Sequence, residues 1–199
     1  MGLFDIFRIK MRPQTEKAPQ TPEGSTIFYH EDDFRQVEII PNDNVANLKV
    51  ETKKLDEFTK EHFDGYGFTN TYVRSDENKI KLNQRKINPE DLEKIISSLE
   101  FERISNVLTG YGQTYREPHN NCIAFGKDYK AIYYDFKDNV VQHIWLTDHW
   151  SMNREKLSKC LYELGQKWGL LLQDRNLTVT VDLKDKDSIN SYLQTYDKE

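Results

Sequence analysis

The sequence lacks the features that mark several classes of protein. It has two cysteines, Cys122 and Cys160, whose separation matches neither a metal-ligand motif nor the dense disulfide pattern of a small secreted domain. We therefore expect both thiols to be free and buried. No apolar run approaches the roughly 20 residues that span a bilayer, and the first residues lack the long apolar stretch of a secretory signal. The expected compartment is the cytoplasm.

Contiguous motifs of catalysis and of phosphate binding are also missing. The patterns GxxxxGKS/T, GxGxxG, GxSxG, HExxH and CxxC do not occur. The net charge is −5, and the absence of a basic excess disfavours a nucleic-acid-binding protein. We therefore expect a protein that is not an enzyme, with no catalytic residue, no metal site and no cofactor.

The chain is predicted to consist of two short segments followed by one domain. Residues 1–12 place most of their apolar side chains on one side of a helix, so they could contact a membrane surface or a partner, or fold back on their own domain. Residues 13–25 contain three prolines and no large apolar residue, which is typical of a linker. Residues 26–199 are long enough for a single domain.

The clearest feature that is present is a hairpin at about residues 129–147. The segments 129–136 and 140–147 are rich in β-branched and aromatic residues, and Asp138 and Asn139 tolerate the positive φ of a two-residue turn. Such a turn predicts that Lys137 pairs with Val140, Phe136 with Val141, Tyr134 with His143, and Ile132 with Trp145. Both faces of the hairpin are then largely apolar, which indicates the centre of a sheet with a layer on each face.

The rest of the pattern predicts four helices among short strands. Further strands are expected at residues 26–30, 34–40, 68–73, 79–82, 103–108, 122–125, 170–172 and 178–181. Helices are expected at residues 47–63, from Asn88 and Pro89 onward, at 152–168 with Ser151 as the cap, and at 187–193. Val37 and Ile39 alternate with polar residues, so one face of their strand is expected to be solvated. These elements favour an α+β fold with a mostly antiparallel sheet, the hairpin at its centre and helices packed on it.

Two histidines adjoin carboxylates and support an alternative, enzymatic hypothesis. His30 precedes an acidic run that includes Asp32 and Asp33, and His149 follows Asp148 just after a predicted strand. A histidine beside a carboxylate can act as an acid or base, or can bind a divalent metal. The alternative is therefore a metal-dependent hydrolase or another enzyme that uses one of these two groups. An acidic loop and a helix-capping aspartate are the simpler interpretation.

For a protein that binds without catalysis, the candidate contacts are acidic and aromatic residues in loops. An acidic surface attracts basic partners, and exposed tyrosine and tryptophan are common at the centre of interfaces. The candidates are the acidic run Glu31, Asp32 and Asp33, the loop tyrosines Tyr111 and Tyr115, and the strand exit Asp148, His149 and Trp150.

Three segments of the sequence also carry a family resemblance. They are MGLFDIF at the start, EDDFRQVEIIP at residues 31–41, and a final pattern made of LxxLG at 161–165, LLLQD at 170–174 and VDLxDxxxIxxYL at 181–193. These segments resemble small cytosolic bacterial proteins encoded beside polymorphic or contact-dependent toxins, the class of immunity proteins. The resemblance carries over no catalytic residue. It implies a protein that binds and occludes a toxin domain, and an acidic body would attract a basic domain of this kind.

Overall fold

A computed structural model of the chain describes residues 25–73, 78–112 and 115–195. These residues form an α+β fold, which confirms the predicted class. The strands are β1 (Thr26–His30), β2 (Val37–Pro41), β3 (Glu102–Ile104), β4 (Asn106–Gly110), β5 (Glu117–Pro118), β6 (Cys122–Lys127), β7 (Lys130–Lys137), β8 (Val140–Thr147), β9 (Leu170–Asp174) and β10 (Val179–Asp182). The α-helices are α1 (Val45–His62), α2 (Pro89–Ile96), α3 (Arg154–Trp168) and α4 (Lys186–Thr195). The predicted segment at residues 1–12 and nearly all of the predicted linker lie outside the described residues.

Seven strands form one antiparallel sheet with the predicted hairpin at its centre. The order across the sheet is β10-β9-β2-β8-β7-β6-β3. Asp138 and Asn139 join β7 to β8 with φ angles of 50° and 60°, which have the sign that a type I′ turn requires. The predicted pairing of Lys137 with Val140 is confirmed, as is that of Phe136 with Val141.

Beyond the turn, the register differs from the prediction because the hairpin contains a bulge. The pairing shifts between Asp135 and Phe136, so that Asp135 lies opposite His143. Two predicted pairs are therefore wrong: Tyr134 pairs with Ile144 rather than His143, and Ile132 pairs with Leu146 rather than Trp145. A bulge adds one residue to a strand, and one added residue reverses the alternation of every side chain beyond it.

The bulge decides which core each side chain of β8 enters. Ile144 and Leu146 face the larger core, on the same side as Ile132. Trp145 faces a smaller core on the opposite side, where its ring stacks on that of Tyr133 with 5.2 Å between the centroids. All five side chains are almost completely buried, which confirms that the hairpin carries a layer on each face.

The larger core lies between the sheet and the helices α2, α3 and α4. Asn88 accepts a hydrogen bond from a first-turn amide of α2, and Pro89 begins that helix, as predicted. At α3 the cap is Asn153 rather than the predicted Ser151, since the Asn153 side chain accepts from the Lys156 amide at 3.0 Å. The core side chains of α3 include Cys160, which is free and buried, as is Cys122 in the smaller core.

The opposite face of the sheet is covered in two parts. A small sheet of order β1-β4-β5 packs on β6, β7 and β8, with Tyr29 and Trp145 in the contact. Helix α1 packs on β2 and β9 through Leu48. The predicted strand at residues 103–108 is divided as a result, because β3 is an edge of the large sheet and β4 belongs to the small one. Strands β1 and β4 are parallel, with His30 beside Gly110.

Three other predicted strands differ in the structure. All five residues of β2 are buried, so the prediction of a solvated face was wrong. The buried Glu38 carboxylate is compensated by ion pairs with Arg35 at 2.5 Å and Arg175 at 2.9 Å. Residues 68–73 form no strand and contribute only one bridge, between Phe63 and Phe68. The strand predicted at 79–82 is replaced by a 3-10 helix at Leu82–Arg85.

Within the described ranges, no helix is both long enough and apolar enough to cross a membrane.

Candidate binding surface

The end of the small sheet brings the acidic run next to Tyr111. His30 and Gly110 are the last residues of the parallel strands β1 and β4, and they lie beside each other. The residues that follow them, Glu31–Asp33 and Tyr111, therefore leave the sheet side by side. The rings of His30 and Tyr111 are 5.3 Å apart, and a hydrogen bond with the Glu31 carboxylate raises the pKa of Tyr111.

Tyr115 and Glu117 extend the same surface. The hydroxyl of Tyr115 donates to the Glu117 carboxylate at 2.8 Å, and this bond raises the pKa of Tyr115. Gly110 has a φ of 138° and lies against the Tyr115 carbonyl, where a Cβ would not fit. Tyr111 and Tyr115 are 53% and 54% exposed. This surface, made of Glu31, Asp32, Tyr111, Tyr115 and Glu117, is termed the tyrosine–acid edge.

A cavity of about 400 Å³ adjoins the edge at Asp33. Because β2 pairs with β8 in antiparallel fashion, Val37 lies opposite Leu146. The residues before Val37 and after Leu146 therefore meet at one end of the sheet, and Asp33 lines the same cavity as Asp148 and Trp150. We term it the aspartate–aromatic cavity, after Asp33, Asp148, Phe28, Tyr129 and Trp150.

The cavity is acidic and its rim is accessible. Among the described residues, its lining contains the carboxylates of Asp33 and Asp148 and no basic side chain. Partial burial raises the pKa of Asp33, although the nearby His30 opposes the change. Tyr129 and Trp150 are 70% and 54% exposed, so large parts of two aromatic side chains lie at the surface beside the cavity.

His149, the remaining predicted contact, lies behind this surface rather than on it. It is 1% exposed, and its Nε2 is 2.7 Å from the Tyr192 hydroxyl. That hydroxyl donates to the buried Asp174 carboxylate at 2.8 Å, so Nε2 of the neutral imidazole is the donor to Tyr192. Burial lowers the pKa of His149 to about 4, even though Asp174 and Asp148 favour its charged form. His149 is therefore enclosed in the protein and cannot contact a partner directly.

The two histidines of the enzymatic hypothesis are both engaged in local structure. His149 is enclosed as described, and His30 Nδ1 accepts a hydrogen bond from the Asp32 amide at 3.2 Å, capping the 3-10 turn. In the part of the chain that the structure describes, no group of three His, Cys, Asp or Glu side chains is arranged to hold a metal ion.

A second polar cluster, which the sequence analysis did not indicate, surrounds Asp135. Its carboxylate is 2.9 Å from His143 Nδ1 and 3.6 Å from His119 Nε2. The Tyr29 hydroxyl lies 2.7 Å from His119 Nδ1, so the cluster links β1, the segment before β6, and the hairpin. Burial alone would raise the pKa of Asp135, but hydrogen bonds from His119 and His143 outweigh it and lower the pKa to about 2.

This cluster has the geometry in which a carboxylate orients a histidine. A carboxylate bound to Nδ1 fixes the tautomer and leaves Nε2 as an acceptor. The His143 side chain is 34% exposed, so part of its imidazole ring lies at the surface. One sequence signal could have suggested this pair, because Asp135 and His143 are separated from the turn by similar numbers of residues. Only the bulge, however, places them opposite each other.

Comparisons of the chain with profiles of protein families, with curated proteins and with solved structures found no match. The resemblance to immunity proteins therefore stays a prediction, and function is inferred from the geometry of the chain itself.

Proposed function

We propose that the chain is a non-catalytic binding protein that attaches to a protein partner through the tyrosine–acid edge and the aspartate–aromatic cavity. One observation carries the proposal. Apart from His149, all the contact residues predicted from separate parts of the sequence lie at these two adjoining features. Because Asp32 of the edge and Asp33 of the cavity lining are consecutive, the two features adjoin at this point.

The chemistry of this surface suits binding to a basic partner. Its carboxylates attract positive charge over several ångströms and raise the rate of encounter. Its four exposed aromatic side chains, Tyr111, Tyr115, Tyr129 and Trp150, offer the large apolar areas that contribute most of the binding free energy in many interfaces.

We further infer that the partner is a basic toxin domain, which the chain occludes as an immunity protein in the cytoplasm of a bacterium. Two observations support this identity: the net charge of −5, and the resemblance of the segments at residues 1–7, 31–41 and 161–193 to that class. Occlusion requires only a complementary surface, which agrees with the absence of a catalytic motif from the sequence.

The test is co-expression of the tagged chain with the product of the neighbouring gene. We expect that gene to encode a toxin, its product to co-purify with the chain, and the chain to restore growth to cells that make the toxin. The double variant Tyr111→Ala/Tyr115→Ala should weaken the complex by about tenfold or more. The matched control is Tyr66→Ala, because Tyr66 is fully exposed, lies on a loop after α1 and belongs neither to the edge nor to the cavity lining.

Two results would overturn this proposal. One is a housekeeping gene as neighbour together with no co-purifying product. The other is a complex that Tyr66→Ala weakens as much as the double variant does.

The enzymatic alternative is favoured by one observation, the orientation of His143 by Asp135. Its test is a screen for hydrolase activity with and without added divalent metal. A real activity should be lost in His143→Ala if that pair is responsible, and in His30→Ala or His149→Ala if the sequence-based hypothesis is correct. The third hypothesis, a membrane tether at residues 1–12, predicts co-sedimentation with liposomes that is lost when those residues are deleted.

A further inference from the structure

We propose that the aspartate–aromatic cavity binds one arginine side chain of the protein partner. This inference rests on the proposed function for its assumption that the partner is a protein. It adds the type of residue that the cavity accepts. The guanidinium would pair with Asp33 and Asp148 and pack against the aromatic rim formed by Tyr129 and Trp150.

The charge of this cavity sets it apart from three other cavities in the described part of the chain. The cavity beside α1 contains Lys54 and Lys79 in its lining, and the one between α3 and α4 contains Arg154 and Lys186. A fourth, very small cavity includes Arg175. In each of these, basic side chains accompany the acidic ones, whereas the aspartate–aromatic cavity has two carboxylates and no cation in its lining.

Two basic residues beside this cavity interact with groups other than its aspartates. The Arg116 guanidinium lies 4.3 Å from the centre of the ring of Phe28, which is part of the cavity wall, and Arg35 is paired with Glu38. Among the described residues, neither Asp33 nor Asp148 forms an ion pair with a lysine or arginine. Within the described residues, the two carboxylates are therefore not neutralised by a lysine or arginine, and a cation from a partner could pair with them.

The other groups of the cavity favour arginine over lysine. A guanidinium is planar, stacks on aromatic rings, and has five N–H donors in fixed directions. The cavity contains further residues with acceptor groups, because Gln36 and Asn176 line it together with the two aspartates. A lysine ammonium is compact and strongly hydrated, and gains less from an aromatic wall. The volume of about 400 Å³ leaves room for a guanidinium and part of its aliphatic stem.

The first experiment uses a short blocked peptide, acetyl-Gly-Gly-Arg-Gly-Gly-amide, as the probe. The full chain is labelled with ¹⁵N, and binding is followed by chemical-shift changes of the Trp150 indole N–H and the Asp148 amide. We expect saturable changes at about millimolar peptide. A peptide with citrulline in place of arginine has the same shape without the charge, and it should bind about tenfold more weakly. The lysine peptide should also bind more weakly than the arginine peptide.

The variant Asp33→Asn/Asp148→Asn should reduce the affinity for the arginine peptide by about tenfold. Asparagine keeps the shape of aspartate and tolerates the positive φ of 43° at position 148. The matched control is Asp56→Asn/Glu61→Gln, which makes the same change in net charge on exposed positions of α1. It should leave binding unchanged. Equal binding of the arginine and citrulline peptides, or equal losses in the two double variants, would overturn the proposal.

Failure of this inference can be told apart from failure of the proposed function. If a toxin partner is captured and Tyr111→Ala/Tyr115→Ala weakens its binding but Asp33→Asn/Asp148→Asn does not, the arginine site is refuted and the binding surface stands. If the arginine peptide binds as expected but no partner protein is found, the site stands and the proposed function fails.

Discussion

Replacing His149 by glutamine should remove a large part of the acid sensitivity of the fold. Burial lowers the pKa of His149 to about 4 in the folded chain, from the ordinary histidine value of 6.5 that applies when the chain is unfolded. Between these two values the unfolded chain binds a proton at this residue and the folded chain does not. The stability contributed by the neutral imidazole is therefore present above pH 6.5 and is lost as the pH falls towards 4.

The magnitude follows from the difference between the two pKa values. Each pKa unit corresponds to about 1.4 kcal/mol, so the free energy of unfolding should fall by about 3 kcal/mol between pH 7 and pH 4 through this residue alone. Glutamine has no titration in this range, and its amide can still donate to the Tyr192 hydroxyl. The variant should therefore show a much flatter dependence on pH, whatever its stability at pH 7.

Urea denaturation at pH 7, 6, 5 and 4, followed by tryptophan fluorescence, measures the effect. With a slope of about 2 kcal/mol per molar urea, the His149 contribution moves the wild-type midpoint by about 1.5 M across this range. Other titrating groups act on both proteins, so the difference between the two pH profiles isolates His149. Parallel profiles, or a His149 pKa near 6.5 in an NMR titration, would refute the assignment of a buried neutral imidazole.

Three further predictions concern stability. In the wild type, the free energy of unfolding should fall by about 2 kcal/mol as the pH falls from about 4 towards 2, because the folded-state pKa of Asp135 is about 2 and its stabilising effect ends when it is protonated. Asp135→Asn should abolish this fall. Acid titration followed by circular dichroism measures the effect, and identical acid midpoints for the two proteins would contradict the prediction. Ile144→Ala should cost about 2–5 kcal/mol in urea denaturation, because Ile144 is fully buried, whereas Val50→Ala, at a position 56% exposed, should change the stability by less than about 0.5 kcal/mol. Asn88→Ala should cost about 1 kcal/mol by removing the cap of α2, and Asn88→Ser should recover most of that loss.

The parts of the fold that the sequence predicted correctly are those with strong local signals. The turn at Asp138 and Asn139 and the start of α2 at Asn88 depend on the chemistry of a few adjacent residues. The central position of the hairpin followed from apolar side chains on both faces of its strands. None of these features required knowledge of distant parts of the chain.

The failures arose where distant contacts outweigh local pattern. The alternation in β2 predicted a solvated face, but Glu38 is buried because Arg35 and the distant Arg175 compensate its charge. The bulge beside Asp135 has no local sequence signal. Because the bulge was not predicted, Tyr134 was predicted opposite His143 in place of Asp135. For the same reason the candidate site was predicted only as separate groups of residues, and the pairing of β2 with β8 that joins Asp33 to Asp148 was not foreseen.

The position of β2 has a consequence for how the protein is made. The pairs β3–β6, β6–β7 and β7–β8 can all form while the C-terminal part of the chain is still being synthesised. Strand β2, in contrast, needs both β8 and β9, and its second edge stays open until residues 170–174 have left the ribosome. An apolar strand with an open edge can pair with other chains. We therefore expect nascent or truncated chains that end before β9 to aggregate, and completion of the sheet to be the slow step of folding.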